Sequence, residues 1–274
     1  MNPSYFKDKV IIVTGASSGI GLASARLFGS FGAKVVMAAR HYEQLLSLAP
    51  SVGDAAHVLC VKTDVSSEDD CRRLIDSTIE RFGRIDVLVN NAGISMRAMF
   101  KDLDLKVIKS LMDVNFWGTV YCTKYALPYL LESKGSLVGV ISIAGYSALP
   151  ARTGYSASKY AVRGFLDTVR IEHLYDGLHV LVFAPGYTDS NVRKAALTAD
   201  GSAQGATPLK EDKLMSAEEC AKHLAKAIYK RRRQAILTPI GKATVWMQKR
   251  FPALLDKLTY WYVGREAGSP FHKD

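Results

Sequence analysis

The stretch Val10-Ile11-Ile12-Val13-Thr14-Gly15-Ala16-Ser17-Ser18-Gly19-Ile20-Gly21 decides the fold. Its first four residues are an unbroken β-branched run, short enough for a strand buried on both faces. The run feeds straight into a glycine-rich turn, and the apolar residues Leu22, Ala25, Leu27, Phe28 and Phe31 then predict a helix. Strand, glycine turn and helix in that order form the context of a phosphate cradle. Glycines let the backbone approach a pyrophosphate, and the helix N-terminus presents free N–H groups. Gly15, Ser17, Ser18, Gly19, Ile20 and Gly21 are the candidate contacts. Their G-x-x-x-G-x-G spacing departs from the more familiar G-x-G-x-x-G.

Residues 34–38 read as a second strand and end in Ala39-Arg40, about where a dinucleotide-binding unit meets the adenosine ribose. An acid there accepts from a 2′-hydroxyl and repels a 2′-phosphate. A guanidinium forks onto phosphate, so Arg40 predicts NADP(H) over NAD(H). The competing reading makes Arg40 a solvated residue at a helix start.

The alternation continues through a strand at 58–62 and the loop Thr63-Asp64-Val65. Ser66 or Ser67 caps a helix through Arg81, with Asp69 and Asp70 in its first turn. A strand at 86–89 opens into Asn90-Asn91-Ala92-Gly93, and residues 105–131 are long enough for a bent or two-part helix. Strands at 136–143, 179–184 and 235–238 follow, with a helix over 154–174 and another begun by the capping pattern Ser216-Ala217-Glu218-Glu219. Seven strands alternating with helices predict an α/β fold. It is a three-layer, doubly wound parallel sheet of Rossmann type, with the nucleotide at the C-terminal strand edge. Residues 1–240 read as one dinucleotide-binding and catalytic domain and 241–274 as a C-terminal extension.

On the helix over 154–174, Tyr155 and Lys159 stand at i and i+4, one turn apart. A phenol titrates near pH ~10, and a nearby positive charge favours its phenolate. Ser142, at the end of an apolar run, brings a hydroxyl to the same point. Alone, such a pair is as well explained by a packed ring and a solvated ammonium. The whole string from Ser142 to Tyr155-Ser156-Ala157-Ser158-Lys159, with Thr14-Gly15-x-x-x-Gly19-Ile20-Gly21, Asn90-Asn91-Ala92-Gly93 and Pro185-Gly186, resembles the short-chain dehydrogenase/reductase family. The resemblance covers residues 5 to about 240.

That resemblance implies a division of labour. Tyr155 gives a proton to a carbonyl while NADPH delivers hydride, or the reverse, and Ser142 hydrogen-bonds the reacting oxygen. Lys159 holds the nicotinamide ribose and lowers the tyrosine pKa. Asn115, otherwise an unfavourable mid-helix residue, kinks its helix and holds a relay water. Asp64, ordinarily a turn or cap former, meets the adenine beside Val65, and Asn91, Ala92 and Gly93 line the cofactor. Pro185 and Gly186 form a turn whose following backbone meets the nicotinamide carboxamide, with a hydroxyl from Thr188 or Ser190. The expected substrate is a hydrophobic ketone or secondary alcohol, lipid-like or steroid-like. A 3-oxoacyl-thioester reductase is the nearest rival, although such chains stop soon after the last strand and this one runs on. A non-catalytic NADP(H)-binding regulator is the reading from another class, and the filled catalytic set argues against it. Family members pair through the helices at 105–131 and 154–174, which implies a homodimer or homotetramer.

Composition sets the remaining bounds. The chain of 274 residues is 48% hydrophobic, enough for a full core. Cys60, Cys71, Cys122 and Cys220 lie far apart without metal-like spacing, so free thiols in a reducing compartment are expected and no metal. The first ten residues lack an apolar h-region and no uncharged run approaches a membrane span, so a cytoplasmic enzyme is expected. Residues 190–215 are polar and aperiodic, a disordered connection or, by the resemblance, a lid over the substrate.

Nine of the ten excess positive charges fall in residues 222–274, which hold 12 basic and 3 acidic side chains. There Met247, Phe251, Leu254, Leu255, Leu258 and Trp261 recur at steps of three and four, with Lys249, Arg250 and Lys257 between them. Pro252 predicts two short helices meeting near Phe251. Packing on the core or on a partner subunit is one reading of this segment. Peripheral contact with an anionic membrane through residues 241–263 is the other. Nucleic acid is not expected, since nothing besides the charge supports it.

Overall fold

The computed structural model describes residues 1–186, 188, 195–205, 214–265 and 269. Seven parallel strands make one sheet: β1 Val10–Thr14, β2 Lys34–Ala39, β3 Val58–Lys62, β4 Val87–Asn90, β5 Ser136–Val140, β6 His179–Ala184 and β7 Gln234–Ile236. Their order is β3-β2-β1-β4-β5-β6-β7. The strand β1 pairs with β2 on one side, Val13 beside Met37, and with β4 on the other, Val13 beside Val89. Chain order therefore reverses at β1 and β4, the point where such sheets open a crevice beyond their carboxyl ends. Every residue of β1, β4, β5 and β6 is buried, which is why these strands read as continuous apolar runs without alternation.

Helices cover both faces. On one, α1 (Gly19–Ser30) buries Phe28 against β1 and β2, and α7 (Ala217–Tyr229) packs beside it and buries Leu224 and Ile228 toward β6 and β7. On the other, α3 (Glu68–Phe82), α5 (Gly118–Glu132) and α6 (Thr153–Glu172) bury Leu74, Leu130, Val162 and Leu166. The predicted caps form. Ser67 accepts from the Asp70 N–H at 3.3 Å, and Ser216 accepts from the Glu219 N–H at 3.0 Å. Gly83, at φ +73°, ends α3 in the left-handed conformation.

Three expectations change in detail. The strand expected over 136–143 stops at Val140, because Ser142 turns the chain into a 3₁₀ turn, Ile143–Gly145, and accepts from the Ala144 N–H at 3.2 Å. The strand expected over 235–238 is shifted to 234–236, because Thr238 caps the next helix through the Gly241 N–H at 3.1 Å. The long helix is divided as α4 (Leu105–Leu111) and α5, joined without a break by a π-helical turn at Met112–Trp117 that carries Asn115. A short helix, α2 (Tyr42–Leu48), follows Arg40, which is the helix start of the competing reading.

The C-terminal segment forms α8 (Pro239–Arg250) and α9 (Pro252–Gly264), meeting at Phe251 as Pro252 predicts. The start of α8 is held tightly: a Cβ on Gly241 would lie 2.7 Å from Ile143 Cδ1. Two polar features are buried in the core. His179 donates from Nε2 to the Arg232 carbonyl and accepts the Ser136 hydroxyl at Nδ1, each at 2.9 Å. Cys122 of α5 donates to Cys71 Sγ of α3 at 3.5 Å, and Cys71 in turn donates to the Val65 carbonyl.

Candidate active site

A cavity of about 370 Å³ opens at the carboxyl ends of β1, β4, β5 and β6. Its floor is the glycine turn. Gly15 (φ +66°) and Gly19 (φ +51°) occupy the left-handed region, and a Cβ on Gly15 would lie 2.9 Å from Ala92 Cα. Ser18 precedes α1 in extended backbone and gives it no side-chain cap, whereas Ser67, Ser216 and Thr238 cap their helices. First-turn donors of α1 are thus left for a ligand at a wall formed by Ser17, Ser18, Gly19 and Ile20. Gly21 does not line the cavity as expected. Its Cβ would stand 2.2 Å from the Gly15 carbonyl oxygen, so its place is the close approach of helix to turn.

At the far end, Arg40 is exposed on the rim beside His41. Asp64 and Val65 line the same end. Asp64 Oδ1 accepts from the Ser66 N–H at 3.0 Å and from its hydroxyl at 2.7 Å, the turn-forming reading. Asn91 Nδ2 donates to the Thr14 carbonyl at 2.9 Å, and Thr14 Oγ1 accepts from the N–H groups of Asn91 and Ala92. This clip fixes the end of β4 to the glycine turn, and Ala92 and Gly93 continue the wall. The long cavity, the uncapped helix and the small-residue cradle fit a dinucleotide.

At the other end stand Ser142, Tyr155 and Lys159, together with Pro185, Gly186 and Thr188. The Ser142 hydroxyl accepts from the Ala144 N–H and lines the cavity beside the Tyr155 phenol. Burial pushes the Tyr155 pKa above the ordinary phenol value, while the Ser142 hydroxyl and the charge of Arg152 pull it back. Lys159 Nζ donates to the Val140 carbonyl at 3.0 Å and lies 5.8 Å from the Tyr155 ring centre, and the charge of Arg152 also acts on the phenol. Burial lowers the Lys159 pKa to about 8.

Asn115 is buried behind this wall. Its Oδ1 accepts from the Ile94 N–H at 2.8 Å, and its Nδ2 donates to the Ile94 carbonyl at 3.0 Å and to Ser158 Oγ at 2.9 Å. Its side chain therefore ties the segment after β4 to α6. Thr188 Oγ1 donates to the Gly186 carbonyl, and the alternative hydroxyl, Ser190, lies outside the described residues.

Sequence reasoning, which took 190–215 for a disordered connection or a lid over the substrate, missed what residues 195–205 pack on. Residues 195–205, read as part of an aperiodic stretch, dock on the segment after β4: Arg97 N–H donates to the Leu197 carbonyl and Leu197 N–H to the Ser95 carbonyl, each at 2.8 Å. Met96, Leu103, Val107 and Leu111 pack there with Leu197 and Tyr155. The rest of 190–215 is only partly described. Arg152, which donates to the Met96 carbonyl at 3.3 Å and lines the cavity, was also missed.

Sheet order and cavity together define a class, the doubly wound nucleotide-binding α/β proteins. Residues 9–200 match the family described as short chain dehydrogenase. A protein named 11-beta-hydroxysteroid dehydrogenase 1A from Arabidopsis thaliana is 36% identical over 90% of this chain and 73% of its own length. Dehydrogenase/reductase SDR family member 7B of Rattus norvegicus is 35% identical over 86% of this chain and 75% of its own. A short chain dehydrogenase/reductase from Burkholderia phymatum, solved in complex with NAD, shares the fold with a TM-score of 0.79 at 24% identity, covering 91% of this chain and 95% of that one. The chain belongs to the short-chain dehydrogenase family. It is an oxidoreductase of CH–OH groups that uses a nicotinamide cofactor.

Proposed function

We propose that the protein interconverts a ketone and a secondary alcohol on a hydrophobic, steroid-like or lipid-like substrate, with NADP(H) as its cofactor. The carrying observation is that Ser142, Tyr155 and Lys159 stand together at one end of a cavity whose other end is the glycine turn, beside the apolar residues Ile94, Val114 and Leu149. Bound there, the nicotinamide supplies or accepts the hydride. Tyr155 gives its phenolic proton to the carbonyl oxygen in reduction and takes it back in oxidation. Ser142 donates to that oxygen and holds it against the phenol. Lys159 binds the ribose, and Asn115 positions Ile94 and Ser158 around it. The resemblance to a protein named for steroid dehydrogenation supports the polycyclic end of the substrate range.

Arg40, exposed on the adenosine rim, supports the 2′-phosphate. Four free thiols support a reducing compartment, the cytoplasm. Trp117, Tyr160, Ile171 and Leu174 are large, exposed and carried on or beside α5 and α6, which supports pairing of two copies through those helices.

The test is cofactor oxidation by the full chain, with NADPH and NADH, against panels of steroid-like ketones and acyl thioesters. NADPH-dependent ketone reduction is expected, and Arg40→Leu raises the NADPH dissociation constant while leaving that of NADH almost unchanged. Equal use of NADH by the wild type, or turnover of thioesters alone, overturns the reading.

A further inference from the structure

The two C-terminal helices present an apolar face that the rest of the described molecule leaves uncovered. They bury Gly241, Val245, Leu255 and Val263 inward. Outward stand Trp246 at 58%, Phe251 at 53%, Leu254 at 51%, Leu258 at 45% and Trp261 at 54% exposure. In α9, Leu254, Leu258 and Trp261 fall at i, i+4 and i+7, one stripe of the helix. The indole of Trp246 and the ring of Phe251 meet edge-on with centres 5.8 Å apart, so the elbow joins both helices into one surface. Lys242, Lys249, Arg250, Lys257 and Arg265 flank it, all exposed, with Asp256 as the one acid between Pro239 and Arg265. The guanidinium of Arg265 lies 3.6 Å from the centre of the Trp261 ring.

We propose that this elbow is a docking surface for anionic lipid. Tryptophan and leucine on one stripe suit the boundary between headgroups and acyl chains, and the flanking cations suit lipid phosphates and carboxylates. A second copy of the chain is a poorer occupant. A two-fold contact through this face brings the cations of both copies into one interface, where charged residues are otherwise depleted. Nucleic acid would use the cations and leave the leucines in water.

The position of the elbow gives the docking a purpose. The start of α8 packs on Ile143, next to Ser142, and a Cβ on Gly186 of the cavity wall would lie 2.7 Å from Thr238 Cγ2. Docking through α8 and α9 therefore sets the reaction end of the cavity close to the lipid surface, where an apolar substrate dissolves.

The test is co-sedimentation of the full chain with phosphatidylcholine vesicles, with and without phosphatidylserine, at low and high salt. Binding is expected to the serine-containing vesicles and to weaken with salt. Two variants keep the fold, since each changes only half-exposed or exposed residues: Leu258→Ser/Trp261→Ser, and Lys249→Glu/Arg250→Glu/Lys257→Glu. Each is expected to lower vesicle affinity by at least roughly ten-fold, while turnover of a water-soluble ketone is unchanged. Wild-type affinity in both variants, or no binding to either vesicle, overturns the proposal. So does conversion of a dimer to a monomer by the serine variant in light scattering, which assigns the face to a second copy. Binding to oligonucleotides without binding to vesicles also overturns it.

Discussion

Taking one oxygen from Tyr155 removes the group that carries the proton and leaves the ring that walls the cavity. Tyr155→Phe is expected to reduce turnover by at least about 100-fold with affinity for the reduced nicotinamide cofactor nearly intact, measured by fluorescence titration beside initial rates. Retention of a substantial rate would remove the phenol from the chemistry. Arg152 offers a separate test, because its charge holds the phenol down against the upward push of burial. In Arg152→Met that pull is gone, so the tyrosine limb of the pH–rate profile moves to higher pH; an unmoved limb would leave Arg152 with a packing role. The sequence displayed Tyr155, Lys159 and Ser142 because the family string fixes their spacing. Arg152 lay inside the same string and went unread, since its action depends on the direction of a side chain at the first turn of α6, which no spacing encodes.

At the scale of elements, the segment after β4 is the joint on which the site turns. Asn115, carried inward by the π-helical turn, grips the backbone of Ile94, and Gly93 fits between Asn115 and Lys159. A Cβ on Gly93 would lie 3.0 Å from Asn115 Oδ1 and 3.3 Å from Lys159 Nζ. Gly93→Ala should therefore displace Lys159 without unfolding the protein, lowering kcat/KM by on the order of ten-fold with little change in thermal midpoint. A fall in stability with normal kinetics would show that the sheet, and not Lys159, yields. The bend in this long helix was legible from its length and from Asn115. Its form was not, because a π turn inserts a residue in answer to tertiary contacts with Ile94 and Ser158 that are distant in sequence. Strand ends behaved similarly: the apolar run to Ile143 outlasts β5 because Ser142 caps the following turn with its own side chain.

For the molecule as a whole, seven strands in a doubly wound parallel sheet followed from alternation, whereas the packing of residues 195–205 on the segment after β4 did not. Leu197 and Met96 meet across a hundred residues by backbone pairing, and no periodicity marks either segment. Acid stability belongs to this scale. His179 is held neutral between Ser136 and Arg232, and burial lowers its pKa from 6.5 to about 4. In acid the unfolded chain binds a proton that the folded one refuses, so this contribution is complete above about pH 6.5 and is lost as the pH falls toward 4. Its full size is roughly 3 kcal/mol. His179→Gln, which keeps a donor for the Arg232 carbonyl, should flatten that part of the denaturation profile between pH 7 and 4. A profile as steep as wild type would place the acid sensitivity elsewhere.

The buried thiols provide a way to watch the layers separate. Cys71 and Cys122 sit under α3 and α5, Cys220 sits in α7 on the opposite face, and Cys60 alone is half-exposed. Burial raises Cys220 to about 12, and the hydrogen bond to Cys71, with burial, pushes Cys122 well above a free thiol, so neither is nucleophilic while folded. A maleimide reporter should modify Cys60 quickly and the other three at a single rate that matches loss of helical circular dichroism. Earlier modification of Cys220 would show that the α1 and α7 layer peels from the sheet while the opposite layer stays closed.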